Sequence, residues 1–197
     1  MTGKSRLKKI NQDEFEHVFS LMERSFPEDE YRSREEQKKL LFKQNYEIYA
    51  VRADREDAAD LSVKKSVLKH KQIRAFLAVW RFLELTFIEH FAVDPVFRSG
   101  GLGSMILAEA KRLFPTQICL EVELPNTELA KRRIAFYERN GFYVNDYPYV
   151  QPPLSAGKQE LPLLLMTSQG RVSQEQFERI KKLLYREVYG VILTDFT

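Results

Sequence analysis

The stretch His90-Phe91-Ala92-Val93-Asp94-Pro95-Val96-Phe97-Arg98-Ser99-Gly100-Gly101-Leu102-Gly103-Ser104 runs from an apolar, β-branched and aromatic segment, past a proline, into a glycine-rich turn. Met105, Ile106, Leu107, Ala110 and Leu113 then recur in helical register until Pro115, so the spacing predicts strand, turn and helix in succession. Glycines at such a turn let the backbone approach a ligand where a side chain would obstruct. The new helix offers unpaired N–H groups and the positive end of its dipole, which makes the turn a candidate pyrophosphate cradle. Arg98 would add a formal charge; a tight turn whose glycines serve backbone angles alone is the other reading. A dinucleotide fingerprint needs a third glycine where Ile106 stands, and a P-loop needs a Gly-Lys pair that is missing here, so both fail.

Working outward, residues 73–82 and 86–94 read as neighbouring strands, and 46–52 and 117–124 as two more. Phe15, Val18, Phe19 and Met22 make 12–25 an amphipathic helix, and Ser33-x-x-Glu36 is a capping box opening a second helix through about Lys43. A helix from about Thr127 to Asn140 ends at Gly141, placed for a left-handed C′ residue. Strand-like segments at 142–150 and 161–167 follow, and Ser173-x-x-Gln176 caps a last helix carrying Phe177, Ile180, Leu184 and Val188 on one face. Alternating elements of this kind argue for an α/β (α+β) fold, a mixed sheet with helices on both faces.

Composition narrows the class further. The 197 residues are 44% hydrophobic, with 14 Phe and 9 Tyr, which is the make-up of a globular chain. Cys119 stands alone, so no disulfide framework or cysteine-built metal centre is expected, and His17, His70 and His90 lack ligand spacing. No metal site is expected. No apolar run approaches bilayer length, and the basic N-terminus has no apolar stretch behind it, so a soluble cytoplasmic protein is the expectation. The net charge of +3 hides an excess of 7 basic over 3 acidic groups in residues 61–98. Lys64, Lys65, Lys69, Lys71 and Arg74 dominate it without interleaved aromatics, which reads as a solvated polar connection over 53–71 and not as a nucleic-acid surface.

The segment from His90 to Ser104 resembles the acetyl-coenzyme A signature of the GNAT superfamily of N-acetyltransferases. A second match, Ile134-Ala135-Phe136-Tyr137-Glu138-Arg139-Asn140-Gly141-Phe142, is similar to the motif closing that family's fourth core helix. The resemblance implies a mostly antiparallel sheet splayed between its fourth and fifth strands, with acetyl-CoA bound in the opening as co-substrate. It implies that the pyrophosphate meets the backbone of Arg98, Ser99, Gly100, Gly101, Leu102, Gly103 and Ser104, and that the pantetheine arm pairs with Phe91, Ala92 and Val93. It divides the chain into a GNAT core over 1–167 and a C-terminal helical extension of the same domain over 168–197. The implied reaction is acetyl transfer to a primary amine of a small molecule or peptide, by direct attack in a ternary complex.

Acetyl transfer to an ammonium needs a base for the nitrogen, an acid for the departing sulfur and a donor for the carbonyl oxygen. By resemblance Tyr137 is the candidate acid and a backbone N–H near Val93 the candidate donor; for Tyr137 the alternative is helix packing. Glu89 is the candidate base, because a mid-strand carboxylate is costly to bury without a purpose or a partner. Strand alternation puts it on the face of Phe91 and Val93. An ion pair with a neighbouring cation is the alternative, and Glu121 and Glu123 could act as base or bind a cationic acceptor instead. Many family members carry an asparagine seven residues before the helix tyrosine. Here position 130 is Ala and Asn126 lies eleven residues ahead of Tyr137, so that role is not carried over. Glu28, Asp29 and Glu30 lie near the expected acceptor mouth and would suit a cation, with a solvated acidic loop as the other reading, and Tyr143, Tyr147 and Tyr149 are candidates to line the same mouth. A non-catalytic acyl-CoA sensor is the competing function. The expected partner is the amine, with neither nucleic acid nor membrane, and a homodimer is a candidate assembly.

Overall fold

The computed structural model describes residues 6–53, 73–98 and 100–191. The basic connection expected over 53–71, with Lys64, Lys65, Lys69 and Lys71, therefore lies outside the described residues from position 54 onward, as does Ser99. Among the described residues seven strands form one sheet in the order β1-β2-β3-β4-β5-β7-β6. They are β1 (Lys8–Lys9), β2 (Tyr46–Arg52), β3 (Ile73–Arg81), β4 (Leu85–Val93), β5 (Gln117–Glu123), β6 (Tyr143–Gln151) and β7 (Leu161–Thr167). Five α-helices among the described residues cover it: α1 (Phe15–Ser25), α2 (Arg34–Leu40), α3 (Leu102–Leu113), α4 (Glu128–Arg139) and α5 (Gln174–Glu187).

The long strands send side chains into two apolar layers. On one face Phe76, Trp80, Phe87 and Leu165 pack with Phe15, Val18 and Met22 of α1 and with Phe177 and Leu184 of α5. On the other, Leu77, Val79, Ile118 and Leu120 pack with Ile106, Leu107 and Ala110 of α3 and with Tyr137 of α4. Fully buried side chains of this size each stabilise the fold by about 1.5–3 kcal/mol relative to exposure.

Local signals explain the boundaries. Both expected capping boxes form, Ser33 with Glu36 and Ser173 with Gln176. Helix α2 ends at Leu40, short of the expected Lys43, because residues 41–43 tighten into bonds from each N–H to the carbonyl three back. Gly141 takes φ +70 after α4, and Lys111 Nζ of α3 donates to the freed carbonyls of Asn140 and Gly141.

Every neighbouring pair is antiparallel except β4 with β5. That parallel pairing lasts only from Leu85 opposite Gln117 to Ile88 opposite Leu120. Beyond it the strands part, and the mixed sheet splayed between its fourth and fifth strands is the expected one. The opening is the floor of a cleft of 530 Å³.

Candidate active site

The glycine turn and the parted strands meet at this cleft. Phe91, Ala92, Val93, Arg98, Gly101, Leu102, Gly103 and Ser104 all line it; Gly100 is exposed beside it. Gly101 stands at φ +73 and begins α3 with no side-chain cap. The N–H groups of Leu102, Gly103 and Ser104 are thus the orphan donors of a helix start, directed at the cleft. Gly103 answers to packing as well: a Cβ there would lie 3.1 Å from the Phe136 ring of α4. Arg98 Nε donates to the Val93 carbonyl at 3.0 Å, which folds its guanidinium over the end of β4. Orphan amides, an arginine and an unpaired strand edge, joined by one cleft, suit an anionic group followed by an extended amide chain. The acetyl-CoA expected from the sequence has that form.

The carboxylates divide into two kinds. Register between β3 and β4 shifts at Glu89, since Ala78 faces His90 while Val79 faces Ile88. Glu89 is the extra residue of a β-bulge, so it and His90 both turn toward the α1–α2 side. The expectation that Glu89 shares a face with Phe91 and Val93 is thereby corrected: those two pack with the α3–α4 layer, whereas Glu89 meets Arg32. Arg32 Nη1 lies 2.5 Å from Glu89 Oε1, with the two side chains 7% and 3% exposed. Burial opposes the charge on Glu89, but Arg32 and the adjacent His90 outweigh it and hold the carboxyl at about 2. His90 Nε2 lies 2.8 Å from the Glu30 carbonyl, an oxygen that can only accept, so this nitrogen donates. The imidazole also stands edge-on to Phe26.

Glu121 is the other kind. It lines the cleft from β5, and its Oε1 accepts from Tyr149 Oη of β6 and, at 2.6 Å, from Tyr189 Oη just past α5. Burial raises its carboxyl to about 7 even though both phenols work in the opposite direction. Glu123 is paired with Arg133 of α4 at 2.6 Å, which leaves Glu121 as the cleft carboxylate on β5 with no cation bonded to it among the described residues.

Tyr137 of α4 also lines the cleft, from the opposite layer. It packs edge-on to Phe136 and Phe142, and burial pushes its phenol up to about 12, so it keeps its proton. Because β4 and β5 part here, Glu121 from the α5 layer and Tyr137 from the α3–α4 layer face one cavity. Among the other candidates, Glu30 reaches the lining while Glu28 and Asp29 do not. Tyr147 packs on Phe177 and Tyr143 is exposed. Thr127 caps α4, so Asn126 precedes the helix. Arg32 and Tyr189 carry no sequence signal for these contacts: one follows an acidic turn, the other follows the last helix, and neither spacing announces its partner. Among the described residues no cluster of three or more His, Cys, Asp or Glu is arranged to hold a metal ion, and no helix is long and apolar enough to cross a membrane.

Fold and cleft together are those of an acyltransferase, and the comparisons agree. Residues 57–144 match the family model described as the acetyltransferase (GNAT) domain. A putative GNAT-family acetyltransferase from Bacteroides thetaiotaomicron is 31% identical, with a TM-score of 0.79 over 95% of this chain and 99% of that one. The chain belongs to the GNAT family of acetyltransferases. The fold is shared more distantly with the ribosomal-protein-S18-alanine N-acetyltransferase of Escherichia coli, at 16% identity and TM-score 0.55 over 86% of this chain and 96% of that one. A Vibrio cholerae spermidine N-acetyltransferase chimera shares it at 14% identity and TM-score 0.55, over 88% and 98%. No curated protein matches the chain in sequence.

Proposed function

We propose that the chain transfers the acetyl group of acetyl-CoA to a primary amine of a small molecule or peptide, by direct attack in a ternary complex. One observation carries this: a carboxyl raised to about 7, Glu121, and a protonated phenol, Tyr137, line one cleft from its two sides. Base chemistry is assigned to Glu121 in preference to Glu89. A carboxylate held at about 2 by a buried arginine has little affinity for a proton at neutral pH, whereas one near 7 matches the operating range of a general base.

Acetyl-CoA supplies a thioester whose carbonyl carbon takes the amine's lone pair as the C–S bond breaks. Residues 98–104 would receive its pyrophosphate, and the free edge of Phe91, Ala92 and Val93 its amide arm. Glu121 Oε2 takes one proton from the ammonium. Tyr137 Oη gives its proton to the departing sulfur and regains one from the nitrogen as the amide forms. Glu121 then releases its proton to solvent, so the reaction yields the acetamide, free thiol and one proton. Glu30, with its carboxyl raised by burial and by Glu123, stands at the same cleft for the acceptor side. The free, buried Cys119 suits a reducing cytoplasm. A library of primary amines, screened for thiol release from acetyl-CoA, tests the reading. Amine-dependent release supports it; tight acetyl-CoA binding with no release for any amine would point to a sensor instead.

A further inference from the structure

The C-terminal helix lies beyond the family-model match, which ends at residue 144, yet its far end reaches the cleft carboxylate. Two phenols from separate elements, Tyr149 of β6 and Tyr189 after α5, converge on the same oxygen of Glu121, Oε1. Oε2 has no hydrogen bond among the described residues, and Glu121 lines the cleft. A carboxylate held by one oxygen has its plane and rotamer set while the second oxygen stays available. The anchoring of Tyr189 is itself specific. Arg32 Nη2 donates to the Val188 carbonyl at 2.9 Å, Tyr185 Oη donates to the Val150 carbonyl, and Leu184 and Val188 are buried in the α5-side core. The arginine that neutralises Glu89 therefore also holds the backbone carrying Tyr189.

The geometry points to Tyr189, together with Tyr149, as a positioning residue that pins Glu121 Oε1 and reserves Oε2 for the acceptor's proton, making the turn after α5 part of the active site. This rests on the reading of Glu121 as base. The charged and titratable groups facing Glu121 are Glu89 and His90 from β4, Cys119 on its own strand, Tyr149 from β6, and Tyr185 and Tyr189 at the end of α5. Of these, the two phenols bonded to Oε1 stabilise the ionised carboxylate, whereas burial and the Glu89 charge oppose it. Losing either donor therefore raises the pH at which Glu121 ionises.

The test is a carboxyl 13C NMR titration of protein labelled at the glutamate side chain, with Glu121→Gln assigning the resonance. Wild type is expected to titrate near pH 7, and Tyr189→Phe and Tyr149→Phe each to move the midpoint up by about one unit, the scale of one hydrogen bond to a charged group. Tyr147→Phe, which removes a phenol that packs on Phe177 of α5 and donates to the Val172 carbonyl, not to Glu121, is the control and should leave the midpoint in place. An unmoved midpoint in Tyr189→Phe, or an equal shift in Tyr147→Phe, overturns the proposal. Turnover separates it from the base assignment. If Glu121→Gln keeps full acetyl transfer, that assignment fails whatever the titration shows; if Glu121→Gln is inactive and Tyr189→Phe titrates like wild type, only the positioning role fails.

Discussion

Arg32 and Glu89 form a 2.5 Å ion pair with both side chains less than a tenth exposed, at a bulge that turns Glu89 away from the face of Phe91 and Val93. A buried pair of this kind holds structure more than it performs chemistry, since removing one partner strands the other charge. Glu89→Gln is expected to destabilise the protein by about 3–5 kcal/mol at pH 7. The sign with pH follows from the depressed carboxyl. Its contribution is complete above the ordinary value of 4.5 and fades as pH falls through about 2. Denaturant unfolding of both proteins should show the gap closing over that window, while the kcat of folded Glu89→Gln stays within about tenfold of wild type.

Glu121 predicts the opposite trend. Its carboxyl is raised, so the stability it contributes is present below 4.5 and is lost as pH rises through about 7. Glu121→Gln should match wild type near pH 4 and exceed it at pH 8, by roughly 1–3 kcal/mol. Unfolding curves at the two pH values check this; a variant less stable than wild type at pH 8 would contradict it.

Tyr137→Phe removes a phenol for which no hydrogen bond is seen among the described residues, so the fold should keep its melting temperature within a few degrees. Loss of a general acid lowers kcat by about 10²-fold or more. A poorer thiol leaving group makes the deficit larger, so a set of acyl thioesters graded by thiol acidity would expose the role. Equal deficits across the set would assign Tyr137 to packing.

The two turn glycines should differ in kind. Gly101→Ala meets open space but must hold φ +73, a left-handed conformation costing about 1–2 kcal/mol. Gly103→Ala sets a methyl 3.1 Å from the Phe136 ring and 3.8 Å from Phe91, so it strains the contact between α3 and α4. Both variants should bind acetyl-CoA more weakly by calorimetry. Gly103→Leu should lose binding altogether, because its side chain must enter the cleft or displace Phe136.

Much of this was legible in the chain. The strand–turn–helix from His90 to Ser104 and the helix ending at Gly141-Phe142 were readable because apolar period, glycine placement and caps are local. Tyr137 could be placed at the cleft only through the resemblance of its helix motif to the GNAT one, since its helical period by itself reads as packing. The bulge at Glu89 was not readable, since an extra residue in one strand leaves no mark on its composition and reverses the face that alternation predicts. Arg32, Tyr149 and Tyr189 reach their carboxylates across 57, 28 and 68 residues of sequence. Pairings of that span depend on how distant elements dock, which no local pattern encodes.

The central claim is that Glu121 takes the acceptor's proton during acetyl transfer from acetyl-CoA. Its most direct test is the pH dependence of kcat/KM for thiol release, with the best amine from the library, in wild type and Glu121→Gln. Wild type is expected to be amine-dependent and to rise with pH through about 7. Glu121→Gln should be slower by about 10²-fold or more, with that limb gone. A Glu121→Gln enzyme as fast as wild type, with the same pH limb, would contradict the claim.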